Sequence, residues 1–278
     1  DSEGKFRLSN VFLEIGTDEG LKGVFGPTSD AVAYIIATQL RELLLGKDPL
    51  ASELLWDQMH RSLVHGRQGE AMWAVSVVDC ALWDLKGLVF GAPVHKLIGG
   101  PTRQEVPAYA SMLGYDVEDQ GLVSQRAKET QNAGYTAQKW FFRHGPMSGP
   151  EGLDKNVALV KTLRETLGDH DAIMLDCWQS MDVPYVLSLA ERIAEYRPFW
   201  LEECVMPDRI SSYRRIKDKI SIPLSGAEQE YTRWGFKRFI DAEALDIIQP
   251  DIYWCGGLSE TLKTVSYTHL PLPTSDLV

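Results

Sequence analysis

The chain has 278 residues, 44% of them hydrophobic, and a formal net charge of −11. Its length and apolar content suffice for a substantial core. Its apolar runs are broken by charges well short of the roughly 18–20 residues that span a bilayer, so no membrane partner is expected. The acidic balance argues against nucleic acid, whose binding relies on Lys and Arg neutralising phosphates. Cys80, Cys177, Cys204 and Cys255 stand far apart with no Cys-x-x-Cys. That pattern suggests neither a zinc site nor a disulfide framework, and makes a reduced, cytoplasmic location the expectation.

In chain order, Asp1 enters an alternating strand within a few residues, as a segment entered mid-protein does. A hairpin is expected over Phe6–Val24 with Asp18-Glu19-Gly20 at its turn, then helices over Ala31–Leu45 and Leu54–Arg61. Ala71–Gly87 reads as a largely buried helix capped by Gly87. From Val106 onward strand and helix alternate. Strands are expected near 106–112, 136–142, 171–176, 199–202, 222–226 and 246–250. Helices are expected near 118–133, 153–167, 184–196, 209–218, 233–241 and from 257. The fold class is therefore α/β: an α+β region over 1–104, then six β/α units over 105–264 of an incomplete TIM-type (β/α) barrel. Leu258–Lys263 starts a helix that Val265–Thr274 is expected to abandon, and 265–278 reads as a non-native tail resembling a translated sequencing adapter.

Asp176, Glu202 and Glu228 lie 26 residues apart in turn, each ending a short apolar run. One strand, one helix and two short loops consume about that many residues. In a parallel barrel the strand ends share one mouth, so three such carboxylates converge as a hard divalent cation requires. A lone acid there would more simply cap the helix that follows; the register of three favours metal.

The ordered motifs resemble those of the enolase superfamily, in its mandelate racemase-like subgroup. They are Asp79-Cys80-Ala81-Leu82-Trp83-Asp84-Leu85-Lys86-Gly87 with Leu97-Ile98-Gly99-Gly100, Trp200-Leu201-Glu202-Glu203, and Gln249-Pro250-Asp251 with Cys255-Gly256-Gly257. Asp176–Ser180 and Trp200–Cys204 further resemble L-rhamnonate-type acid-sugar dehydratases, whereas Gln229 stands where a His is expected. The resemblance implies that 1–104 is a capping domain, that the barrel is of the modified kind, and that Mg²⁺ is held by Asp176, Glu202 and Glu228. Glu203 and Glu230 are the rivals of the last two, and are left to support the ligands or to contact substrate. The implied chemistry removes the proton alpha to a carboxylate through an enediolate, the established pattern of this superfamily.

Lys139 matches the first lysine of the superfamily's Lys-x-Lys motif, with Phe141 in place of the second. Catalysis and simple neutralisation of the carboxylates are equally open to it. Asp251 matches the Asp of a His–Asp dyad whose His belongs beyond residue 263, His269 being no credible substitute, so the polypeptide as written is expected to be inactive. Arg67, Arg143, Trp178 and Glu230 are the substrate-binding candidates. Three of them have a plainer alternative: solvation for Arg67 and its neighbour His65, loop placement for Arg143 and His144, packing for Trp178. Cys177 and Cys204 are expected to pack between barrel and helices. The resulting expectation is Mg²⁺-dependent dehydration of a sugar acid (an aldonate) to a 2-keto-3-deoxy acid in a homo-oligomeric full-length parent. A racemase or an inactive fragment is the alternative.

Overall fold

The structure, a computed structural model, describes residues 10–269. Strand β1 (Val11–Gly16) pairs antiparallel with β2 (Lys22–Thr28), and Gly20, at φ 83°, sits in the turn between them. Helix α1 (Asp30–Ile35) begins where Ser29 Oγ accepts from Val32 N, and passes through a π turn (Ile36–Leu40) into α2 (Arg41–Leu44). Then come α3 (Ser52–Ser62), α4 (Glu70–Phe90) and α5 (Val94–Leu97). The expected cap at Gly87 is corrected: α4 runs three residues further and ends at Gly91, whose φ of 59° suits the left-handed cap position. Gly87 lies inside the helix, where the Ala92 carbonyl approaches too closely for a comfortable side chain.

The second series alternates β3 (Ala110–Ser111), α6 (Gln120–Asn132), β4 (Ala137–Phe141), α7 (Gly149–Leu167), β5 (Ala172–Asp176), α8 (Val183–Ile193), β6 (Trp200–Glu202), α9 (Ile210–Lys217), β7 (Leu224–Gly226), α10 (Thr232–Asp241) and β8 (Ile247–Ile248). α11 (Ile252–Cys255) and α12 (Leu258–His269) close the described chain. Strands β3 to β8 form one parallel sheet in sequential order, the arrangement of successive barrel units. The expected helix break at Val265 does not occur. Nothing between Leu258 and His269 removes a helical hydrogen bond, and the first proline, Pro271, disfavours helix only just before itself. The expectations for Phe6–Ser9, for residues 270–278 and for the His269 side chain lie outside the described residues. Among the described residues no helix is long and apolar enough to cross a membrane.

Two compact units are present. Among the described residues, 10–104 join Glu228–Lys237 and 250–269 in one; Glu105–Ala227 and Arg238–Gln249 form the other. The first unit is organised by α4, buried along most of its length from Met72 to Leu85. β2 lies directly on α4: a Cβ at Gly23 would stand 2.3 Å from the Ala81 carbonyl oxygen, and Asp84 accepts from Val24 N at 2.8 Å. Trp56 Nε1 donates to the Gly256 carbonyl, and Thr28 and Tyr253 share a hydroxyl hydrogen bond.

The fully buried Asp79 on α4 accepts from Ser259 N at 2.9 Å and from Ser259 Oγ at 2.6 Å, capping α12 from another helix. Burial pushes its carboxyl up to about 6 from an ordinary 3.8, against the downward pull of the two Ser259 hydrogen bonds. A carboxyl raised on folding contributes stability that is complete below its unfolded pKa and fades as pH rises through the folded one. The loss here falls between about pH 4 and 6 and amounts to about 3 kcal/mol. In Asp79→Asn the amide oxygen still accepts from Ser259 N and nothing ionises. Urea midpoints measured at pH 4 and pH 7 are therefore expected to fall more for the wild-type chain than for the variant; parallel curves would refute the assignment.

Candidate active site

The parallel sheet sets the site. β4, β5, β6 and β7 run side by side, and register pairs Asp176 with Glu202 and Glu202 with Ser225. The two acids therefore stand next to each other at adjacent strand ends. Both are buried, Glu202 to 1% exposure, and the Lys139 ammonium reaches both from β4: 2.5 Å to Glu202 Oε1 and 3.2 Å to Asp176 Oδ2. The remaining oxygens are also engaged, with Trp178 N donating to Asp176 Oδ1 at 2.9 Å and Trp200 Nε1 to Glu202 Oε2 at 2.9 Å. Tyr109 presents its ring to the ammonium, 5.8 Å from Nζ to centroid, and meets Trp200 edge to face. Burial alone would push the Lys139 pKa down. The Glu202 hydrogen bond and charge, with the Asp176 charge, outweigh it and hold the ammonium above its ordinary range.

Backbone strain gathers at these strand ends. Trp178, Gln179, Glu203 and Ala227 all have φ between 48° and 68°, a region costly for residues with a Cβ. Glu203 braces them: its Oε1 accepts from Ala227 N and its Oε2 from Gln179 Nε2, both at 2.7 Å, and its own carbonyl accepts from Gln179 N. One buried carboxylate thus ties the segments after β5, β6 and β7. Cys177 and Cys204 are fully buried, with sulfurs 3.7 Å apart, and desolvation pushes the Cys177 thiol well up, as expected of packing residues.

Arg143, past the end of β4, is exposed and lines a cleft of about 400 Å³ with Tyr115, Asp116, Glu118 and Phe141. His144 lies 3.2 Å from Glu118. Trp178 is exposed, not core.

The other site candidates lie in the first unit. Glu228, two residues past β7, is exposed. Glu230 is buried and turned back on its own loop: Oε1 accepts from Tyr231 N at 2.8 Å and occupies the space a Cβ would need on Gly235. Arg67 is exposed and its Nε donates to the His60 carbonyl; the His60 ring is stacked between Trp56 and Trp234. Asp251 caps α11, its Oδ1 accepting from Tyr253 N and Trp254 N. Thus Asp176, Glu202 and Lys139 come together, while among the described residues no three His, Cys, Asp or Glu side chains form a metal-holding group. Between the two acids that do meet, Lys139 supplies the positive charge.

Residues 122–269 match the family described as enolase C-terminal domain-like, and residues 5–99 match the mandelate racemase / muconate lactonizing enzyme N-terminal domain. The chain belongs to the enolase superfamily. Within it, an L-rhamnonate dehydratase of Saccharopolyspora erythraea is 36% identical over 260 residues, covering 92% of this chain and 64% of the relative. The crystal structure of L-rhamnonate dehydratase from Gibberella zeae is 34% identical with a TM-score of 0.84, covering 92% of this chain and 63% of that one. The same enzyme has been solved in complex with Mg, at a TM-score of 0.82 with 34% identity, over 92% of this chain and 61% of that one. A racemase from Streptomyces coelicolor with bound magnesium is 30% identical with a TM-score of 0.84, covering 92% of this chain and 76% of its own. The chain therefore spans a little under two thirds of the length of the rhamnonate dehydratases it matches.

The superfamily motifs now have physical roles. Asp79 caps α12 and Asp84 anchors β2, while Glu202 and Glu203 divide between Lys139 and the strand-end brace. Sequence reasoning flagged Glu203 as a rival ligand, and failing that as a residue supporting the ligands or touching substrate, but not as a tie between strand ends. Its brace depends on the turned backbone at Gln179 and Ala227, which no residue type there announces.

Proposed function

We propose that this chain acts as part of a Mg²⁺-dependent acid-sugar dehydratase working on rhamnonate-like aldonates. The observation that carries this is the buried Asp176–Glu202 pair around a cationic position at adjacent strand ends. The rhamnonate dehydratases among its relatives, one of them complexed with Mg, support it. The donor set fits a hard cation: carboxylate oxygens, preorganised by Trp178 N and Trp200 Nε1, where the protein already favours positive charge. Asp176, Glu202 and Glu228 are the proposed ligands. When bound, Mg²⁺ supplies positive charge against the negative charge that grows on the substrate carboxylate as its alpha proton leaves.

In the proposed reaction the C2 proton passes to a base, the C3–O bond breaks, and the hydroxyl takes up a proton and departs as water. The resulting enol tautomerises to a 2-keto-3-deoxy acid. Held as an ammonium by Glu202 and Asp176, Lys139 serves as a hydrogen-bond donor and fixed charge rather than as the base. Asp251 keeps Oδ2 outside its two cap bonds and so retains an oxygen with which to orient an imidazole base. Arg143, in its cleft, and Arg67 are the proposed partners of anionic and hydroxyl groups on the substrate, with Trp178 as an exposed wall. Glu230 contributes by shaping its loop. A capping role for residues 1–104, a homo-oligomeric assembly and a cytoplasmic location complete the reading.

The test fuses residues 1–263 to the C-terminal portion of the Saccharopolyspora erythraea relative and supplies a panel of aldonates with Mg²⁺. A 2-keto-3-deoxy product that disappears with chelator, and falls at least about 100-fold in Glu202→Gln, is expected. Exchange of C2 hydrogen for deuterium without loss of water would replace dehydration by racemisation. No turnover of any aldonate would sink the proposal.

A further inference from the structure

α4, α12 and the start of α10 are linked by two buried carboxylates. Asp79 of α4 caps α12 through Ser259. One residue on, Glu260 of α12 is itself fully buried, and its Oε1 accepts from Arg233 N at 2.9 Å, in the first turn of α10. The Arg233 guanidinium lies 3.2 Å from the same oxygen and over the Trp234 ring. Gly256 and Gly257 make room for both acids: a Cβ on Gly257 would stand 2.5 Å from Asp79 Oδ2, and one on Gly256 would stand 3.2 Å from the Glu260 Cβ. The Cys255-Gly256-Gly257 motif thus seats the pair.

For stability alone this is a poor arrangement. Glu260 Oε2 has no hydrogen-bond partner among the described residues, and burial pushes the carboxyl up against the pull of Arg233. An uncharged side chain at this place avoids the desolvation of a carboxylate. What the carboxylate does deliver is a fixed start for α10, immediately after Glu228–Tyr231, where Thr232 holds a left-handed backbone at φ 59°.

We infer that Glu260 is a positioning residue that fixes the first turn of α10 and, through it, the loop bearing Glu228. The inference rests on the reading of Glu228 as a metal ligand. Hydrogen exchange over residues 228–234 and calorimetric titration with Mg²⁺ test it on the full chain, in Glu260→Ala, Glu260→Asp and Glu260→Gln. Alanine removes the acceptor and aspartate retracts it while keeping the charge. Both are expected to raise exchange over 228–234 about tenfold, with 172–205 unchanged, and to weaken Mg²⁺ binding about tenfold. Glutamine keeps an oxygen for Arg233 N and is expected to restore both toward wild type. Folded alanine or aspartate variants with wild-type exchange and wild-type affinity would overturn the inference, as would an exchange rise spread over the whole chain. If wild type itself binds no Mg²⁺ yet the variants loosen 228–234, the ligand reading of Glu228 falls and the hold of Glu260 on the loop stands.

Discussion

Replacing Lys139 by methionine is expected to destabilise the chain by about 3–5 kcal/mol at pH 7, because it leaves Asp176 and Glu202 buried side by side without their cation. The ammonium is raised on folding, so its contribution is complete below its unfolded pKa and is lost only as pH rises through the folded one. Neutral pH is therefore well inside the window where the lysine counts. Two readouts separate an ion pair from ordinary packing. Mg²⁺ should restore more of the denaturation midpoint in the variant than it adds to wild type, since it supplies the missing charge. A second substitution, Glu202→Gln, should cost less in the methionine background than alone, since the two side chains act on each other. Equal Mg²⁺ effects and additive losses would show that Lys139 matters only as bulk.

Glu203→Ala is expected to cost about 2–3 kcal/mol, since it strands a buried donor, Ala227 N, and a half-buried one, the Gln179 amide. Glu203→Gln keeps one acceptor and should fall between. The loss should be local, because the carboxylate restrains four left-handed residues at three strand ends. Exchange at the amides of 178–181 and 226–227 should quicken, while the centre of β5 should not change. Uniform exchange throughout the sheet would mean that Glu203 is simply a core residue.

Much of the fold was readable from residue order, because a parallel strand buried on both faces leaves an apolar run bounded by polar loops. Ala172–Leu175 and Phe199–Leu201 are such runs, and the acid that ends each one fixed the strand terminus. Helix ends were less legible for local reasons. Gly87 looked like a stop because glycine usually is, and only the close Ala92 carbonyl explains it inside α4. Val265–His269 looked like a break because of prolines that act only further on. At the site, spacing put Asp176 and Glu202 at adjacent strand ends, and neutralising the carboxylates was one of two roles left open to Lys139; its contact with both acids needed the register across β4, β5 and β6, which is not written in any one segment. The roles of Asp79 and Glu260 were likewise hidden, each depending on a contact with a helix remote in sequence.

The unit built on α4 is assembled from three separated stretches of chain. During synthesis α4 is finished long before α11, α12 and the turn between them, which contribute Tyr253, Ser259 and Gly256 to the unit. At ribosomal speeds the interval is on the order of ten seconds, during which α4, already packed against β2, α1 and α3, lacks the cover of α11 and α12 while the parallel sheet is made. Contacts between residues so distant in sequence also slow the final closure. The nascent chain thus carries a partly uncovered apolar face for that interval, and its yield on synthesis depends on the wait as well as on the stability finally reached.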